Sequence, residues 1–446
     1  MKYVLLATVL LTTMSCKKFL EQKPDTKLAI PNTVKDLQLL LDNYSTFNNR
    51  TGFLGEIMSD DYYLSVADWA AIGDPAQRNL YNWQADDNTN FNWSGFYGSV
   101  YLANVVLDNL QRIQHNAEQN DERDHIRGAA LFFRSMYLYE AVSLFAKPFN
   151  ASSAATDLGV PLRLTADYAV PSERGNVVAT YQQILSDYKE AASLLPVQTL
   201  MKTRPSKAAA YGALARTYLS MRIYDSAGYY ADKCLGLYDS LLDYNSLNAA
   251  ASFPINRFNR EVIFHSKSVG ASPLVQSRFK VDSTLYQSYR QDDLRKTVFF
   301  KNVGTGVYTF KGDYDGADGA VFSGITTGEM YLVRAECFAR SGNTMLAMND
   351  LNHLLKARFK STGFTPLTAS TPDEALGKVL AERRKELIMR GLRWTDLRRF
   401  TFEPEWTIVP KRVLNAQVFE LHPQSSRYVV KLPKQVVERS TLQQNP

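Results

Sequence analysis

Apolar positions recur every three or four residues over most of this chain, which predicts a mainly α-helical protein. The first such segment begins at Asn32-Thr33, whose side chains can cap a helix N-terminus. Further segments with this spacing cover 93–113, 121–145 and 176–195. The helices at 93–113 and 121–145 should pair as a hairpin.

Small residues in two later segments take the spacing of the tetratricopeptide helix pair, in which they let two helices approach closely. Ala215 and Ala227 are twelve positions apart, and so are Ala335 and Ala347. We therefore predict stacked helical pairs that are interrupted by long irregular insertions. The helical repeats are expected at about 97–240 and 326–400, and the insertions at about 47–96 and 241–325.

The most highly charged stretch of the chain, LAERRKELIMRGLRWTDLRRF, spans 380–400. Thr371 and Pro372 predict the start of the helix that enters it, and Gly391 predicts the end of that helix in a left-handed residue. A second, shorter helix should begin near Trp394. The stretch should therefore consist of two helices that meet at a corner.

The charge density of this stretch could indicate an active site, but its placement on helices favours a structural role. Glu382 and Glu386 lie one turn apart and can pair with Arg390 and with arginines of the next helix. Trp394 can fill the corner between the two helices. Alternating charges around a buried ring are typical of an ion-pair clasp, in which the loss of one partner destabilises the fold. We therefore expect the stretch to stabilise the protein without contacting a ligand.

Aromatic residues in the irregular insertions give the clearest indication of function. They make up 12% of the whole chain, with 25 Tyr, and Tyr suits half-wet surfaces because its hydroxyl can reach a partner. A sugar ring can stack its C–H face on such a ring while neighbouring Asp, Asn, Gln or Arg side chains bind its hydroxyl groups. Core packing remains the alternative for each ring on its own. The candidate ligand-binding residues are Trp69, Tyr81, Trp83, Tyr308 and Tyr314.

The N-terminus has the pattern of a lipoprotein signal peptide. A short charged start precedes an apolar run at 3–11, and small residues follow it up to Cys16. The run is far shorter than the ~20 residues that cross a bilayer as a helix. We expect a signal peptide at 1–15, lipidation of Cys16 and a tether at 16–31, so that lipid alone anchors the protein to a membrane. A plain cleaved secretory signal is the alternative.

Charge and motif content argue against several function classes. The net charge of +6 comes from 51 basic and 45 acidic residues without a long run of one sign, which argues against nucleic-acid binding. The five histidines are scattered, and the sequence contains no nucleophile elbow, phosphate-binding loop or dinucleotide fingerprint. Cys234 and Cys337 each lie within a helical pattern, which excludes a disulfide framework and predicts small core residues, with a single bridge between them as the alternative. We therefore predict no catalytic residue, no metal site and no cofactor.

Two groups of loop acids leave alternatives open. Asp60 and Asp61 could supply a carboxylate pair for glycosidic bond cleavage, although loop acids usually serve to form turns. Asp313, Asp315 and Asp318 could do the same. This second group also resembles a calcium-binding loop, but its third acid and its glycine are misplaced and no downstream bidentate Glu follows. Calcium therefore stays as a minor alternative to the absence of a cofactor.

The motifs of the chain, taken in order, resemble those of the SusD/RagB family of outer-membrane nutrient-binding lipoproteins. The resemblance covers essentially the whole chain. One departure is Arg390, where the family usually has an acidic residue. The family's ligand residues lie in variable loops, so no ligand identity can be carried over. The motifs are CKKFLEQKP after the lipid site, NWSGFYGSVYLANVVLDNL, RGAALFFRSMYLYEAVSLFAKPF, GEMYLVRAECFARSGN, ERRKELIMRGLRWTDLRR and LPKQVV.

The resemblance implies a fold and a function, which we treat as expectations. The fold would be a single SusD-like domain over 32–446, mostly α, with a tetratricopeptide-like scaffold whose long irregular insertions form a ligand-binding face. The protein would be lipid-anchored to the outer membrane, facing the extracellular side, and would pass a glycan to a TonB-dependent, SusC-like transporter without catalysis. A peptide-binding member of the same family is the first alternative, and a surface glycoside hydrolase is the second.

Overall fold

A computed structural model describes residues 31–446 apart from 52, 88–92, 115–116 and 270. The predicted signal peptide, the lipidation site Cys16 and nearly all of the predicted tether lie outside the described residues. The described chain is mainly helical, as its apolar spacing predicts. Short strands occupy the segments between the helices.

The helices are numbered in chain order. Those of the first half are α1 (Val34–Leu41), α2 (Tyr44–Phe47), α3 (Phe53–Ile57), α4 (Val66–Ala70), α5 (Pro75–Tyr81), α6 (Trp93–Leu110), α7 (Asn120–Phe145), α8 (Val177–Leu194), α9 (Lys207–Ser220) and α10 (Tyr224–Leu235). Those of the second half are α11 (Ser283–Ser288), α12 (Arg295–Val298), α13 (Thr327–Arg340), α14 (Thr344–Lys356), α15 (Pro372–Glu386), α16 (Arg393–Phe400) and α17 (Lys434–Glu438). In the described part of the chain, no helix has both the length and the apolar character needed to cross a membrane.

The long helices pack side by side in chain order. Helix α6 packs on α7, α7 on α8, α8 on α9 and α9 on α10, and the stack continues from α10 through α13 to α14 and α15. Ala215 and Ala227 are fully buried on α9 and α10, and Ala335 and Ala347 are equally buried on α13 and α14. The small-residue spacing therefore marks two helical pairs, as predicted.

Two buried cysteines lie within this stack, Cys234 on α10 and Cys337 on α13, and both are free thiols. The Sγ atom of Cys234 contacts the backbone oxygen of Ala208 at 3.2 Å. Helices α10 and α13 approach so closely that a Cβ atom added at Gly228 would lie 2.9 Å from Cβ of Cys337. Both cysteines are core residues, as predicted, and small side chains allow the helices to meet.

The strands form two-stranded antiparallel sheets. Their bounds are β1 (Tyr62–Tyr63), β2 (Leu158–Pro161), β3 (Arg174–Asn176), β4 (Val262–Phe264), β5 (Lys267–Val269), β6 (Lys280–Val281), β7 (Phe300–Gly304), β8 (Val307–Phe310), β9 (Ala320–Phe322), β10 (Ile325–Thr326), β11 (Lys411–Leu414) and β12 (Gln417–Glu420). The pairs are β1 with β6, β2 with β3, β4 with β10, β5 with β9, β7 with β8 and β11 with β12. The sheets β4–β10 and β5–β9 each pair a strand from the first half of the second insertion with a strand at its end, directly before α13 begins.

An aromatic cluster joins the insertions to the helical scaffold. Phe264 on β4 packs edge-on against Phe132 on α7, with ring centroids 4.9 Å apart. Phe133 on α7 packs against Phe47 of α2, with centroids 4.5 Å apart. All four rings are buried and belong to one extended hydrophobic core. Although the insertions have little regular structure, this core holds them at fixed positions over α7.

The charged stretch at 380–400 forms two helices that meet at a corner, as predicted. The hydroxyl of Thr371 caps α15 by accepting a backbone hydrogen bond at 3.1 Å. Helix α15 ends at Glu386 and not at Gly391, so the predicted helix end is wrong. Gly391 does have the expected left-handed conformation, with a φ of 70°, which glycine adopts readily because it has no Cβ atom. Trp394 on α16 is buried and stacks on Tyr428, with ring centroids 5.3 Å apart. The tryptophan thus fills the corner.

Ion pairs in the interior hold α15 in place, and we call Arg295, Arg358, Glu382 and Glu386 the buried clasp. Arg295 contacts Glu382 at 2.6 Å and Glu386 at 3.2 Å. Arg358 contacts Glu386 at 2.7 Å. None of the four side chains is more than 7% exposed. Charges this deeply buried require close partners, so the clasp is a structural element, as predicted.

The partners of the two glutamates differ from the prediction. Arg390 makes no ion pair with either of them in the described chain, because its guanidinium lies over the ring of Tyr314, 3.3 Å from the centroid. The arginines of the next helix have other partners, since Arg399 contacts Asp396 at 2.8 Å, Arg393 contacts Asp60 at 2.6 Å and Arg398 donates to backbone oxygens. Arg383 contacts Asp396 at 2.9 Å. The clasp arginines instead come from segments outside 380–400, which local helical spacing could not indicate.

Candidate functional site

Three of the five predicted ligand-binding rings lie in the hydrophobic core. Tyr81, Trp83 and Tyr314 are 1%, 2% and 0% exposed. The hydroxyl of Tyr81 accepts a hydrogen bond from the backbone N–H of Leu64 at 2.8 Å. Trp83 donates from Nε1 to the backbone oxygen of Met58 at 3.0 Å. The prediction that these three rings offer a face to a ligand is therefore wrong, since they anchor the insertions from within.

Arginines from distant parts of the chain cover these rings. The guanidinium carbon of Arg412 lies 3.7 Å from the ring centroid of Tyr81 and 5.0 Å from that of Trp83. Arg390 covers Tyr314 in the same way. A guanidinium is attracted to the face of an aromatic ring, and burial strengthens this attraction. Each ring is thus already occupied by a partner from its own chain.

Trp69 on α4 is the first of the two predicted rings that remain accessible. Its Nε1 donates to the backbone oxygen of Arg78 at 3.3 Å, and the guanidinium of Arg78 lies 5.9 Å from the ring centroid. The ring is half-buried and packs in part against the main core. It therefore has a fixed position and still offers surface to solvent.

Tyr308 on β8 is the second accessible ring, and it stacks on Tyr286 of α11. The two centroids are 3.6 Å apart, the ring planes differ by 16°, and both rings are half-buried. Phe300 supports Tyr286 edge-on at 5.4 Å, and Nζ of Lys296 lies 5.0 Å from the Tyr286 centroid. Partial burial and the adjacent Tyr308 raise the pKa of the Tyr286 hydroxyl, which stays neutral. The pair forms a supported aromatic platform.

Strand β6 connects the platform to the region of Trp69. Lys280 on β6 is paired with Tyr63 on β1, and its Nζ lies 3.8 Å from a carboxylate oxygen of Asp68, the residue before Trp69. Strand β6 also packs against β8, which carries Tyr308. Strand β6 therefore links the segments that carry two of the five predicted residues, Trp69 and Tyr308, and three further residues lie on the linked segments. We call the surface formed by Tyr63, Trp69, Lys280, Tyr286 and Tyr308 the loop face.

Three residues of the loop face, Tyr63, Lys280 and Tyr286, are not among the predicted ligand-binding residues. Tyr63 is 41% exposed whereas Tyr62 is 3% exposed, which is the alternation of a strand with one buried side. That alternation is a local signal that could have identified Tyr63. Lys280 and Tyr286 give no such signal, because their place depends on the pairing of β1 with β6 across a long stretch of sequence.

The acidic pair Asp60 and Asp61 is bound to arginines. Asp60 contacts Arg393 at 2.6 Å and Arg384 at 2.9 Å, and Asp61 contacts Arg384 at 2.8 Å. Burial alone would raise the pKa of Asp60, but Arg393 and Arg384 outweigh it and hold that pKa well below its usual range. At Asp61 burial dominates and raises the pKa. Both carboxylates serve structural ion pairs, so they are not free to act on a glycosidic bond.

The acids of the calcium-like loop are also engaged by the protein. Asp315 is fully buried and contacts Lys267, His265 at 3.2 Å and Arg257 at 2.6 Å. Burial would raise its pKa, but hydrogen bonds from these three side chains lower it to about 2. Asp313 accepts two backbone N–H groups, and burial raises its pKa to about 7. Among the described residues, no group of three or more His, Cys, Asp and Glu is placed to hold a metal ion.

Two family models match the chain in succession. The model described as "Starch-binding associating with outer membrane" matches residues 18–219, and the model described as "SusD family" matches residues 257–442. Together they cover most of the helical scaffold and both accessible predicted rings. None of the curated proteins compared with the chain matches it.

Several solved structures share the fold over nearly their whole length. A putative sugar binding protein from Bacteroides vulgatus has a TM-score of 0.75 at 20% identity, covering 94% of this chain and 99% of its own. A SusD superfamily protein from Bacteroides thetaiotaomicron has a TM-score of 0.73 at 22% identity, covering 93% and 100%. A laminarin binding SusD-like protein has a TM-score of 0.66 at 17% identity, covering 92% and 97%. At these identities the likeness establishes a common fold.

Proposed function

The chain belongs to the SusD/RagB family, and from this premise we propose that it is a cell-surface lipoprotein that captures a glycan on the loop face without cleaving it. The observation that carries the proposal is the supported and accessible pair of Tyr286 and Tyr308, stacked at 3.6 Å. The names of two similar structures, a putative sugar binding protein and a laminarin binding protein, support carbohydrate as the ligand class.

The chemistry of the loop face suits a sugar. A pyranose ring has apolar C–H groups on its faces and hydroxyl groups around its rim, so it needs an aromatic surface beside polar side chains. Trp69 and Tyr308 supply the aromatic surface, while Lys280, Asp68 and Arg78 supply charged donors and acceptors nearby. Ligand sites generally combine such apolar walls with a few fixed polar groups.

The state of the carboxylates supports the proposal of binding without catalysis. A glycosidase of the usual kind needs two carboxyl groups about 5 to 9.5 Å apart on either side of the scissile bond. Asp68 at the loop face contacts Lys280, and the acids at 60–61 are bound to arginines. The two loop acids that could have formed a catalytic pair are therefore used to hold the insertion in place.

The location and the partner are part of the same proposal. A lipid on Cys16 would hold the protein at the outer membrane, and the description of the family model that matches 18–219 includes association with that membrane. The captured glycan would then pass to a TonB-dependent, SusC-like transporter. Cys16→Ser should move the protein from the membrane fraction to the soluble fraction, and a variant that stays membrane-bound would contradict the lipid anchor.

The glycan-binding proposal is tested with a glycan array and a peptide array, followed by calorimetric titration of the glycan that binds best. We expect Tyr308→Ala and Trp69→Ala each to weaken binding by up to roughly tenfold, the size of one lost stacking contact. Tyr229→Ala is the matched control, since this ring is 56% exposed on α10 and is not part of the loop face. All three variants should lower the free energy of unfolding by less than about 1 kcal/mol.

Each contrary result addresses a different part of the proposal. Binding to peptides without binding to glycans would make the peptide alternative correct. Unchanged glycan affinity in both loop-face variants would place the ligand elsewhere on the protein. Release of shorter sugars during the titration would contradict the absence of catalysis.

A further inference from the structure

A second concave surface lies at the start of α6 and is built from different elements than the loop face. It is a groove of about 570 Å³ between α6, the connection at 161–172 and the segment at 436–442. Ligand sites in proteins typically have volumes of about 300–1,000 Å³. The groove is therefore large enough for a short oligomeric ligand, and we call it the α6 groove.

One wall of the α6 groove is a row of aromatic rings. Trp93, Tyr97 and Tyr101 follow one another at four-residue spacing and so lie along one face of α6. The rings of Trp93 and Tyr97 are 4.6 Å apart, and the Tyr97 hydroxyl donates to the backbone oxygen of Pro161 at 2.9 Å. Tyr101 is 47% exposed. The row thus begins in the core and ends with an open ring.

The opposite wall presents a tyrosine on a fixed loop. Tyr168 is 90% exposed, yet the connection that carries it is bound to α6. Nδ2 of Asn104 donates to the backbone oxygens of Arg163 at 2.9 Å and Thr165 at 3.3 Å. The carboxylate of Asp108 accepts from the Thr165 hydroxyl at 3.1 Å. Core packing does not explain a large apolar ring in this position, whereas a ligand gains from a wall that is already ordered.

The charge of the groove indicates the class of ligand. Among the described residues that line it, Arg163 and Arg439 are the charged ones, and no Asp or Glu is present. The guanidinium of Arg163 already donates to the backbone oxygens of Asp167 and Val170. Arg439 is exposed, and its guanidinium makes no hydrogen bond or ion pair with the part of the chain that the structure describes, although its backbone N–H donates to the backbone oxygen of Val437. A free guanidinium beside aromatic rings favours a ligand that carries a carboxylate.

We propose that the α6 groove is a second saccharide site, and that it takes an acidic sugar chain whose carboxylate meets Arg439 while its rings stack on Tyr101 and Tyr168. The aromatic residues bind the C–H faces of the sugar, and the guanidinium binds the carboxylate through two parallel hydrogen bonds. This proposal does not rest on glycan binding at the loop face, because the two surfaces share no residue.

The test uses the purified protein and two matched probes, an oligogalacturonide and the same oligomer with its carboxylates methyl-esterified. We expect the acidic oligomer to bind and the neutral ester to bind at least roughly tenfold more weakly, since one charge-assisted bidentate contact is lost. Tyr101→Ala and Tyr168→Ala should each weaken binding of the acidic oligomer roughly three- to tenfold. Arg439→Gln should abolish the preference for the acidic oligomer.

Lys434→Gln is the control for charge, because it removes one positive charge from α17 beside the groove at a lysine whose partner is Glu438. It should leave affinity unchanged, and so should Tyr229→Ala on α10, which lies outside both surfaces. An equal loss in Lys434→Gln and Arg439→Gln would indicate unspecific attraction and would overturn the proposal. Equal affinity for both oligomers, or tighter binding of an acidic peptide than of the oligogalacturonide, would also overturn it. Loss of all binding in Trp69→Ala would assign the acidic oligomer to the loop face instead.

Discussion

The buried clasp and the loop face use charges and rings in opposite ways. In the clasp, two arginines and two glutamates meet at 2.6–3.2 Å, and none of the four side chains is more than 7% exposed. At the loop face, Lys280 has a contact of 3.8 Å with Asp68, and the stacked rings of Tyr286 and Tyr308 are open to solvent. In the clasp every charged side chain is paired within the protein. At the loop face, aromatic rings and charged side chains remain accessible to a ligand.

This difference explains why charge density is a poor guide to function in this protein. A buried charge has lost its water and must find partners within the fold, so charges accumulate where the structure needs to be fixed. A ligand surface instead needs rings and polar groups that are held in place but are not yet satisfied. The stretch at 380–400 is the most charged in the chain, and yet its charges serve to fix the structure and do not form a ligand surface.

The largest effect is expected in the clasp. Glu386→Ala removes the carboxylate that contacts both Arg295 and Arg358, so two buried guanidinium groups each lose one charged partner, while Arg295 keeps Asp293 and Glu382 and Arg358 keeps Glu261. We expect the free energy of unfolding to fall by about 4 kcal/mol, within the range known for breaking a buried ion pair. Urea denaturation followed by tryptophan fluorescence measures the change.

The matched control for this variant lies on the same helix. Glu374 at the start of α15 pairs with Lys378 at the surface and accepts the backbone N–H of Ser370 at 2.7 Å, so Glu374→Ala should lower the free energy of unfolding by no more than about 1 kcal/mol. If Glu386→Ala proved as mild as this control, the distinction between the clasp and ordinary surface charges would be lost.

The second prediction contrasts two tryptophans of the same insertion. Trp83 is 2% exposed and lies beneath Arg412, whereas Trp69 is half-buried at the loop face. Trp83→Ala should lower the free energy of unfolding by about 3 kcal/mol, because it opens a cavity in the core. Trp69→Ala should lower it by less than about 1 kcal/mol. Thermal and urea denaturation compare the two, and equal losses would show that both rings are structural.

The smallest effect concerns a buried acid that lies beside the corner at Gly391. Glu56 is 0% exposed, and its carboxyl accepts the backbone N–H of Gly391 at 2.9 Å and the hydroxyl of Ser59 at 3.0 Å. Burial, together with the nearby carboxylate of Asp61, raises the pKa of Glu56 from 4.5 to about 8. The folded chain therefore keeps a proton on Glu56 that the unfolded chain releases.

Because the folded-state pKa lies above the unfolded value, the stabilising contribution of Glu56 is complete below about pH 4.5 and is lost as the pH rises to about 8. Glu56→Gln mimics the protonated acid and removes this dependence. Between pH 5 and pH 6.5 the wild type should lose more unfolding free energy than the variant, by on the order of 2 kcal/mol. Urea denaturation at several pH values measures both proteins, and parallel curves would contradict the raised pKa.

The helical scaffold could be predicted because its signals are local. Thr371 caps the helix that it was expected to cap, Gly391 takes the left-handed conformation, and the alanine pairs on α9–α10 and α13–α14 lie at buried helix contacts. A cap depends on residues within one turn, and a small-residue contact depends on a spacing that can be read directly from the sequence.

The loop face could be predicted only in part because burial within the insertions is decided by distant residues. Nothing near Trp83 or Tyr314 indicates that Arg412 and Arg390 will cover them. For the same reason Tyr286 could not be recognised, since its exposure depends on how the strands around it pair. Flanking polar residues identified the aromatic residues of the insertions as candidates. They could not distinguish the rings that an arginine covers in the core from the rings that are accessible to solvent.

Arg412 has a further consequence for how the protein is made. Its guanidinium covers Tyr81 and Trp83, and it also donates to the backbone oxygens of Tyr62 at 2.9 Å and Ile57 at 3.2 Å. A chain is synthesised from its N-terminus, so these rings and carbonyl groups lack the contacts of Arg412 until a residue 350 positions after Tyr62 has been made. The packing of the first insertion therefore depends on one of the later residues of the chain.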